Sequence, residues 1–167
     1  DGVALGWHRR SGLAPNFVVL PMAVSERNGT ADFHLNAFDA ASSLLPFDSP
    51  GLEQWIGGEM FRVVETVPVP VIRLDTFLES TGIHHVNYLK IDAQGSDLEV
   101  VRSAGERIGS IDRIALEVQI TPLPLYAGGS SKESVLEYLS RAGFRLEHRE
   151  PQSCGQEENL TFSRVAS

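Results

Sequence analysis

Cysteine is nearly missing from this chain: Cys154 is the only one in 167 residues. That excludes an internal disulfide framework and any zinc site built on paired cysteines. Basic residues are also scarce, with 14 Lys and Arg against 22 Asp and Glu and a net charge of −8. A general nucleic-acid binder needs a basic face to neutralise phosphates, so that class is set aside. Long apolar runs are absent too. The cleanest, Phe17 to Val24, contains Pro21 and is far too short to span a bilayer, so no membrane partner is expected. His8, His34 and His148 are scattered without the i,i+4 spacing of a helical metal site, and no metal is expected. His84 and His85 precede an apolar segment at its amino end, as exposed loop residues do. With no signal peptide visible, the expected location is cytoplasmic.

The remaining composition, 42% hydrophobic and 22% charged, is that of a globular protein with a packed core. The length suits one domain, without internal repeats or an evident linker. Val3 to Arg10 has the character of a helix tail. Phe17 to Val24 is predicted as a buried strand, followed by a turn at Glu26-Arg27-Asn28-Gly29 and a second strand, Ala31 to Leu35. Residues 36 to 51 look irregular, and Leu52 to Phe61 is mixed helical, weakened by Gly57-Gly58. Arg62 to Ile72 alternates, but Pro68 and Pro70 make it an edge strand. A short helix spans Leu74 to Ser80. Ile111 to Ile120 is a strand with Ile114, Leu116 and Val118 on one face. Ser130 and Glu133 are spaced as a capping box for a helix carrying Val135, Leu136, Leu139 and Ala142, stopped by Gly143. Phe144 to Arg149 and Asn159 to Val165 close the chain as an antiparallel pair.

The stretch from Val86 to Glu99 carries the most information. An apolar strand, Val86 to Ile91, runs into Asp92, Gln94 and Gly95, and then into a helix start where Ser96 and Glu99 form a second capping-box spacing. Leu98, Val101, Ala104 and Ile108 follow at helical spacing. Open α/β sheets bind ligands at the carboxyl ends of their strands, and Asp92 and Gln94 would stand at that end. Strand and helix alternating from Val86 onward predict a mostly parallel sheet with helices on its faces.

Several motifs in order resemble the FkbM-type methyltransferases. They are Val19-Leu20-Pro21-Met22-Ala23-Val24-Ser25 through Gly29, Ser42-Ser43-Leu44, Val71-Ile72-Arg73-Leu74-Asp75, Lys90-Ile91-Asp92-Ala93-Gln94-Gly95, Leu116-Glu117-Val118, Gly143-Phe144 and Asn159-Leu160-Thr161-Phe162. The resemblance implies a Rossmann-like methyltransferase sheet, mostly parallel with an antiparallel last strand. It also implies S-adenosylmethionine as cofactor and a small-molecule hydroxyl, on a natural product or sugar, as methyl acceptor. Phe17–Val24, Val86–Asp92 and Ile111–Ile120 would be its third, fourth and fifth strands. The glycine-rich loop and the acid that follow the first two strands in such proteins have no counterpart here. The chain is therefore expected to be a single methyltransferase-like domain lacking the first strands, the C-terminal two-thirds of the whole.

Asp92 is the leading site carboxylate, contacting the cofactor or the acceptor; otherwise it orders the Gln94-Gly95 turn. Gln94 is a candidate to orient substrate through its amide, and Glu117, near the end of the fifth strand, is a further candidate catalytic acid or base. The resemblance places Ala23, Val24 and Ser25 near the adenine ring, and Ser42 and Ser43 in a loop over the site. Lys90, inside a strand, is expected to be a paired structural lysine. A second functional class stays open: a non-catalytic α/β module with a degenerate methyltransferase scaffold, acting through protein contacts.

Overall fold

A computed structural model describes residues 18–165; Val3–Arg10 and Phe17 lie outside them. In chain order the regular elements are β1 (Ala23–Val24), β2 (Gly29–Asn36), α1 (Ser49–Gln54), β3 (Val63–Ile72), α2 (Leu74–Ser80), β4 (Leu89–Lys90), α3 (Asp97–Arg102), β5 (Arg113–Gln119), α4 (Lys132–Arg141), β6 (Phe144–Gln152) and β7 (Glu157–Arg164). They form two sheets, ordered β1-β3-β2 and β4-β5-β7-β6. Among the described residues no helix is long and apolar enough to cross a membrane.

The expected mostly parallel, Rossmann-like sheet needs correction. The β1/β3 and β4/β5 pairs are parallel, while β2/β3, β5/β7 and β6/β7 are antiparallel. A tight connection at residues 153–156 makes β6 and β7 a hairpin, and β7 inserts between β6 and β5. One hairpin thereby creates two antiparallel ladders. The expected antiparallel closing pair is thus found, and the fold is a mixed α/β one in two sheets.

Two strands are shorter than their sequences suggest, each for want of a partner. Between Val18 and Val24 only Ala23 and Val24 pair, with Val71 and Ile72 of β3. Continued backwards, that register would set Met22 and Leu20 against Pro70 and Pro68, which have no N–H to give. Val18, Val19, Leu20 and Met22 are accordingly exposed. β3 is the middle strand of its sheet and not the expected edge, but its proline-bearing length pairs with β2 alone, and of its residues only Val71 is in register with both β1 and β2. β4 is likewise an edge. It pairs with Ile114–Ala115 of β5, with one further bridge from Val86 to Ile111. With a neighbour on one side, Tyr88 and Lys90 are exposed, so Val86–Asp92 is not the buried strand its composition suggests.

The core follows the periodicity of β5 and its helices. Ile114, Leu116 and Val118 pack with Leu98 and Val101 of α3, Val135 and Leu139 of α4, and Leu160 and Phe162 of β7. Each such aliphatic side chain, once buried, stabilises the fold by about 1.5–3 kcal/mol. Gly143 (φ +83°) ends α4 in the left-handed conformation that glycine tolerates best. The caps shift from their expected positions. Ser131, not Ser130, caps α4 by accepting from the Ser134 N–H at 3.2 Å. Ser96 precedes α3 but makes no side-chain cap, and one Glu99 carboxylate oxygen is buried without a partner. The turn before α3 sets that outcome: Ser96 sits at φ −95°, ψ 17°, outside the extended conformation a capping serine adopts. α1 begins inside the stretch expected to be irregular, where Asp48 accepts from the Gly51 N–H at 3.0 Å and Pro50 opens the first turn.

The two sheets are joined by Arg73. Its guanidinium bonds the Asp75 carboxylate at 3.0 and 2.5 Å, the Glu26 carbonyl at 2.7 Å and the Ser103 carbonyl at 3.2 Å. The β1–β2 turn, the start of α2 and the end of α3 are thereby held by one side chain.

Candidate functional site

The chain leaves β4 at Ile91 and turns sharply through Asp92, Ala93, Gln94 and Gly95 before α3. Gln94 adopts φ +48°, an uncommon conformation for a residue with a side chain, and Gly95 adopts φ +92°. Strain of this kind persists only where the surroundings hold it. Here they do. The Ser43 hydroxyl donates to the Gln94 carbonyl at 2.7 Å, and the Tyr126 hydroxyl donates to Gln94 Oε1 at 2.8 Å. Gln94 Nε2 in turn donates to Asp92 Oδ1 at 2.8 Å. The other Asp92 oxygen is 3.9 Å from Lys90 Nζ, and the Asp92 side chain is 57% exposed. Lys90, half-exposed and donating to the Ile91 carbonyl at 2.8 Å, sits at the same mouth instead of inside a buried strand.

Asp92 and Gln94 form one wall of a cavity of about 590 Å³, whose other walls include Ala23 and Val24 at the end of β1 and Ser42 and Leu44 of the 38–47 loop. The lining is mostly apolar, and the volume falls within the range of small-molecule sites. Four of the residues singled out from the sequence, Ala23, Val24, Asp92 and Gln94, therefore meet around one space. Ser25 lies beside it, with its backbone N–H bonded to the Ile72 carbonyl at 3.0 Å. Ser43, buried, holds the loop down onto the turn, while Ser42 faces the cavity.

Glu117 stands elsewhere. With Asp97, Glu157 and Gly95 it lines a separate small void of about 20 Å³. Burial, reinforced by the charges of Glu157, Asp92 and Asp97, pushes the Glu117 carboxyl up to about 7. Asp97 is pushed up to about 6 by burial, against the opposing effect of the Glu117 N–H, which it accepts at 3.4 Å. Burial also raises Glu157, whose carboxylate accepts from the Ser153 hydroxyl at 2.5 Å. These three groups share a neutral-leaning pocket behind the Asp92 turn.

Tyr126 packs against the Gln94–Gly95 turn and carries no sequence motif of its own. It is 1% exposed, its ring covers Gly95, and its hydroxyl reaches both Gln94 and the Ala41 carbonyl, the latter at 3.1 Å. Burial first, and the surrounding carboxylates second, hold its phenol far above the ordinary range, so it remains a proton donor. One signal was available: an aromatic residue in the loop after the β5 end, between Pro122-x-Pro124 and Gly128-Gly129.

Polar groups gathered at the carboxyl end of a parallel strand pair, around an apolar ligand-sized cavity, are the arrangement of an α/β ligand-binding domain. The methyltransferase FkbM domain matches residues 9–146, well over half of the chain, and the chain belongs to that family. No curated protein and no solved structure matches it.

Proposed function

We propose that this domain works as an S-adenosylmethionine-dependent O-methyltransferase on a hydroxyl group of a small molecule. The observation that carries this reading is the single cavity shared by the Asp92–Gln94 turn and the Ala23–Val24 strand end. Its residues suit the cofactor's chemistry. The apolar wall at Ala23 and Val24 offers a surface for a flat base. Lys90 and Asp92, opposite charges at one mouth, complement an amino-acid zwitterion. When bound, the cofactor supplies a sulfonium-activated methyl group.

Transfer to oxygen is an in-line displacement, so holding the acceptor and excluding water provides much of the acceleration. The acceptor hydroxyl must also lose its proton. Asp92 has one oxygen bonded by Gln94 and the other free of short bonds, which leaves it open to take that proton directly or through one water. Gln94 steadies the carboxylate as it does so. Glu117 lies in its separate void, outside the cavity.

Calorimetry with S-adenosylmethionine on the full-length protein is expected to show saturable binding. Asp92→Ala is expected to lower methyl transfer by about a hundredfold or more, with the circular dichroism spectrum retained. Wild-type turnover in that variant would reject the role of Asp92. Absence of cofactor binding by the wild-type protein would reject the enzyme reading and leave the scaffold with a contact function.

A further inference from the structure

The groups around the cavity divide into those that line it and those, Ser43 and Tyr126, that hold its turn from outside. Tyr126 is 1% exposed and does not line the cavity, yet its hydroxyl reaches both the Gln94 side chain and the Ala41 carbonyl. Its ring stacks on Phe47 at 5.2 Å between centroids, Phe47 stacks on Phe61 at 5.7 Å, and Phe61 on Phe38 at 5.9 Å. That row includes both ends of the 38–47 loop, whose Ser42 and Leu44 form a cavity wall. Trp55 and Leu125 complete the cluster. Gly95 is the other contact: a Cβ there would fall 2.8 Å from Tyr126 Cβ.

The hydroxyl matters more than the ring for the chemistry. A glutamine amide has an oxygen end and a nitrogen end, and the neighbours decide which way it points. The phenol carries one proton, which points between two acceptors, Gln94 Oε1 at 2.8 Å and the Ala41 carbonyl at 3.1 Å, while on the other side of the amide an Asp92 oxygen calls for a donor. The nitrogen end is thereby left facing Asp92 Oδ1, at 2.8 Å. Were the amide reversed, its oxygen would face an ionised carboxylate. The same hydroxyl bonds the Ala41 carbonyl, so loop and turn are set by one group.

We propose that Tyr126 is the positioning residue of this site, its hydroxyl fixing the Gln94 amide, and through it the Asp92 carboxylate, while latching the 38–47 loop as the cavity wall. The proposal rests on the reading of Asp92 and Gln94 as ligand-site residues. Tyr126 itself touches no ligand.

The test uses full-length protein and the variants Tyr126→Phe, Gln94→Ala and the double variant, with S-adenosylmethionine as the calorimetric probe. Tyr126→Phe keeps the ring on Gly95 and Phe47 and removes one oxygen atom. It is expected to weaken binding by about three- to tenfold. In the Gln94→Ala background the same change is expected to cost only about twofold, because the amide it positions is gone and only the bond to the Ala41 carbonyl is left to lose. Equal losses in both backgrounds, the mark of a merely structural tyrosine, would overturn the proposal.

A second arm needs neither a variant nor a cofactor. In the wild-type NMR spectrum the Tyr126 hydroxyl proton should exchange slowly and show a nuclear Overhauser contact to the Gln94 side-chain amide. Its absence would overturn the proposal by itself. If the wild-type protein fails to bind S-adenosylmethionine while that contact is present, the cofactor reading falls and the positioning of Gln94 by Tyr126 stands.

Discussion

Glu117 gives the sharpest test of the electrostatics, because its substitution by glutamine should stabilise the protein, and only at one end of the pH range. Burial and the charges of Glu157, Asp92 and Asp97 raise its carboxyl from an ordinary 4.5 to about 7. A raised carboxyl favours the protonated form in the folded state. Below about pH 4.5 it is protonated whether folded or not, and no penalty applies. Between about 4.5 and 7 the unfolded chain releases the proton and the folded chain keeps it, so stability falls as pH rises. Above 7 the folded protein carries an unwelcome charge and the loss is complete. At about 1.4 kcal/mol per pH unit the penalty has a ceiling of about 3 kcal/mol, and the residual solvent access of Glu117 reduces it to about 1–2 kcal/mol.

Glu117→Gln keeps the shape and removes the charge. For a domain of this size, thermal melts at pH 8 are expected to show a midpoint about 3–8 °C above wild type. At pH 5 the two should coincide within about 1–2 °C. A variant less stable than wild type at pH 8, or equally shifted at both pH values, would refute the argument. Activity then separates a supporting role from a catalytic one. If Glu117 acts only from behind the turn, turnover at pH 8 is retained, whereas a general base at this position would lose about a hundredfold or more.

Local periodicity was readable wherever a segment's neighbours lay close in sequence. Ile114, Leu116 and Val118 alternate because β5 is covered by helices, and Val135 and Leu139 recur because α4 lies on the core. The β6–β7 hairpin carries its own turn and so announces itself. Phe17–Val24 and Val86–Asp92 have the apolar character of buried strands, but the ladder each can form depends on a partner elsewhere. Pro68 and Pro70 withhold one set of N–H groups, and β4 has β5 on one side only. The capping boxes failed by small margins. Spacing identifies a serine and an acid three residues apart, but the backbone angles at Ser96, set by the strained Gln94–Gly95 turn, decide whether a cap forms. Asp92 and Gln94 were legible because strand, turn and helix are contiguous. Tyr126 was not, since its hydroxyl partners lie 85 and 32 residues away in sequence.

Further outcomes follow from the same contacts. Asp75 is held below the usual carboxylate range, chiefly by its bond to Arg73, so its stabilising effect is full at neutral pH and is lost as pH falls below about 4. Asp75→Asn is therefore expected to lower the melting midpoint at pH 7 by about 2–4 °C and to change little at pH 3. Ser43→Ala removes the bond to the Gln94 carbonyl and leaves the Leu45 N–H, 3.0 Å from Ser43 Oγ, without an acceptor. Hydrogen exchange at Leu45 should accelerate by about tenfold, and unchanged protection would detach the loop from the turn. Gly95→Ala meets two costs, the left-handed backbone at about 1–2 kcal/mol and the collision with Tyr126 at about 1–3 kcal/mol. Gly128 separates them, because it has φ +81° but nothing within 4 Å of an added Cβ. Gly128→Ala should therefore incur the backbone cost alone, and Gly95→Ala should melt lower still, by about 3–10 °C. Equal midpoints would show that the Tyr126 ring yields to the methyl group, and with it that the turn is not seated against that ring as tightly as its geometry implies.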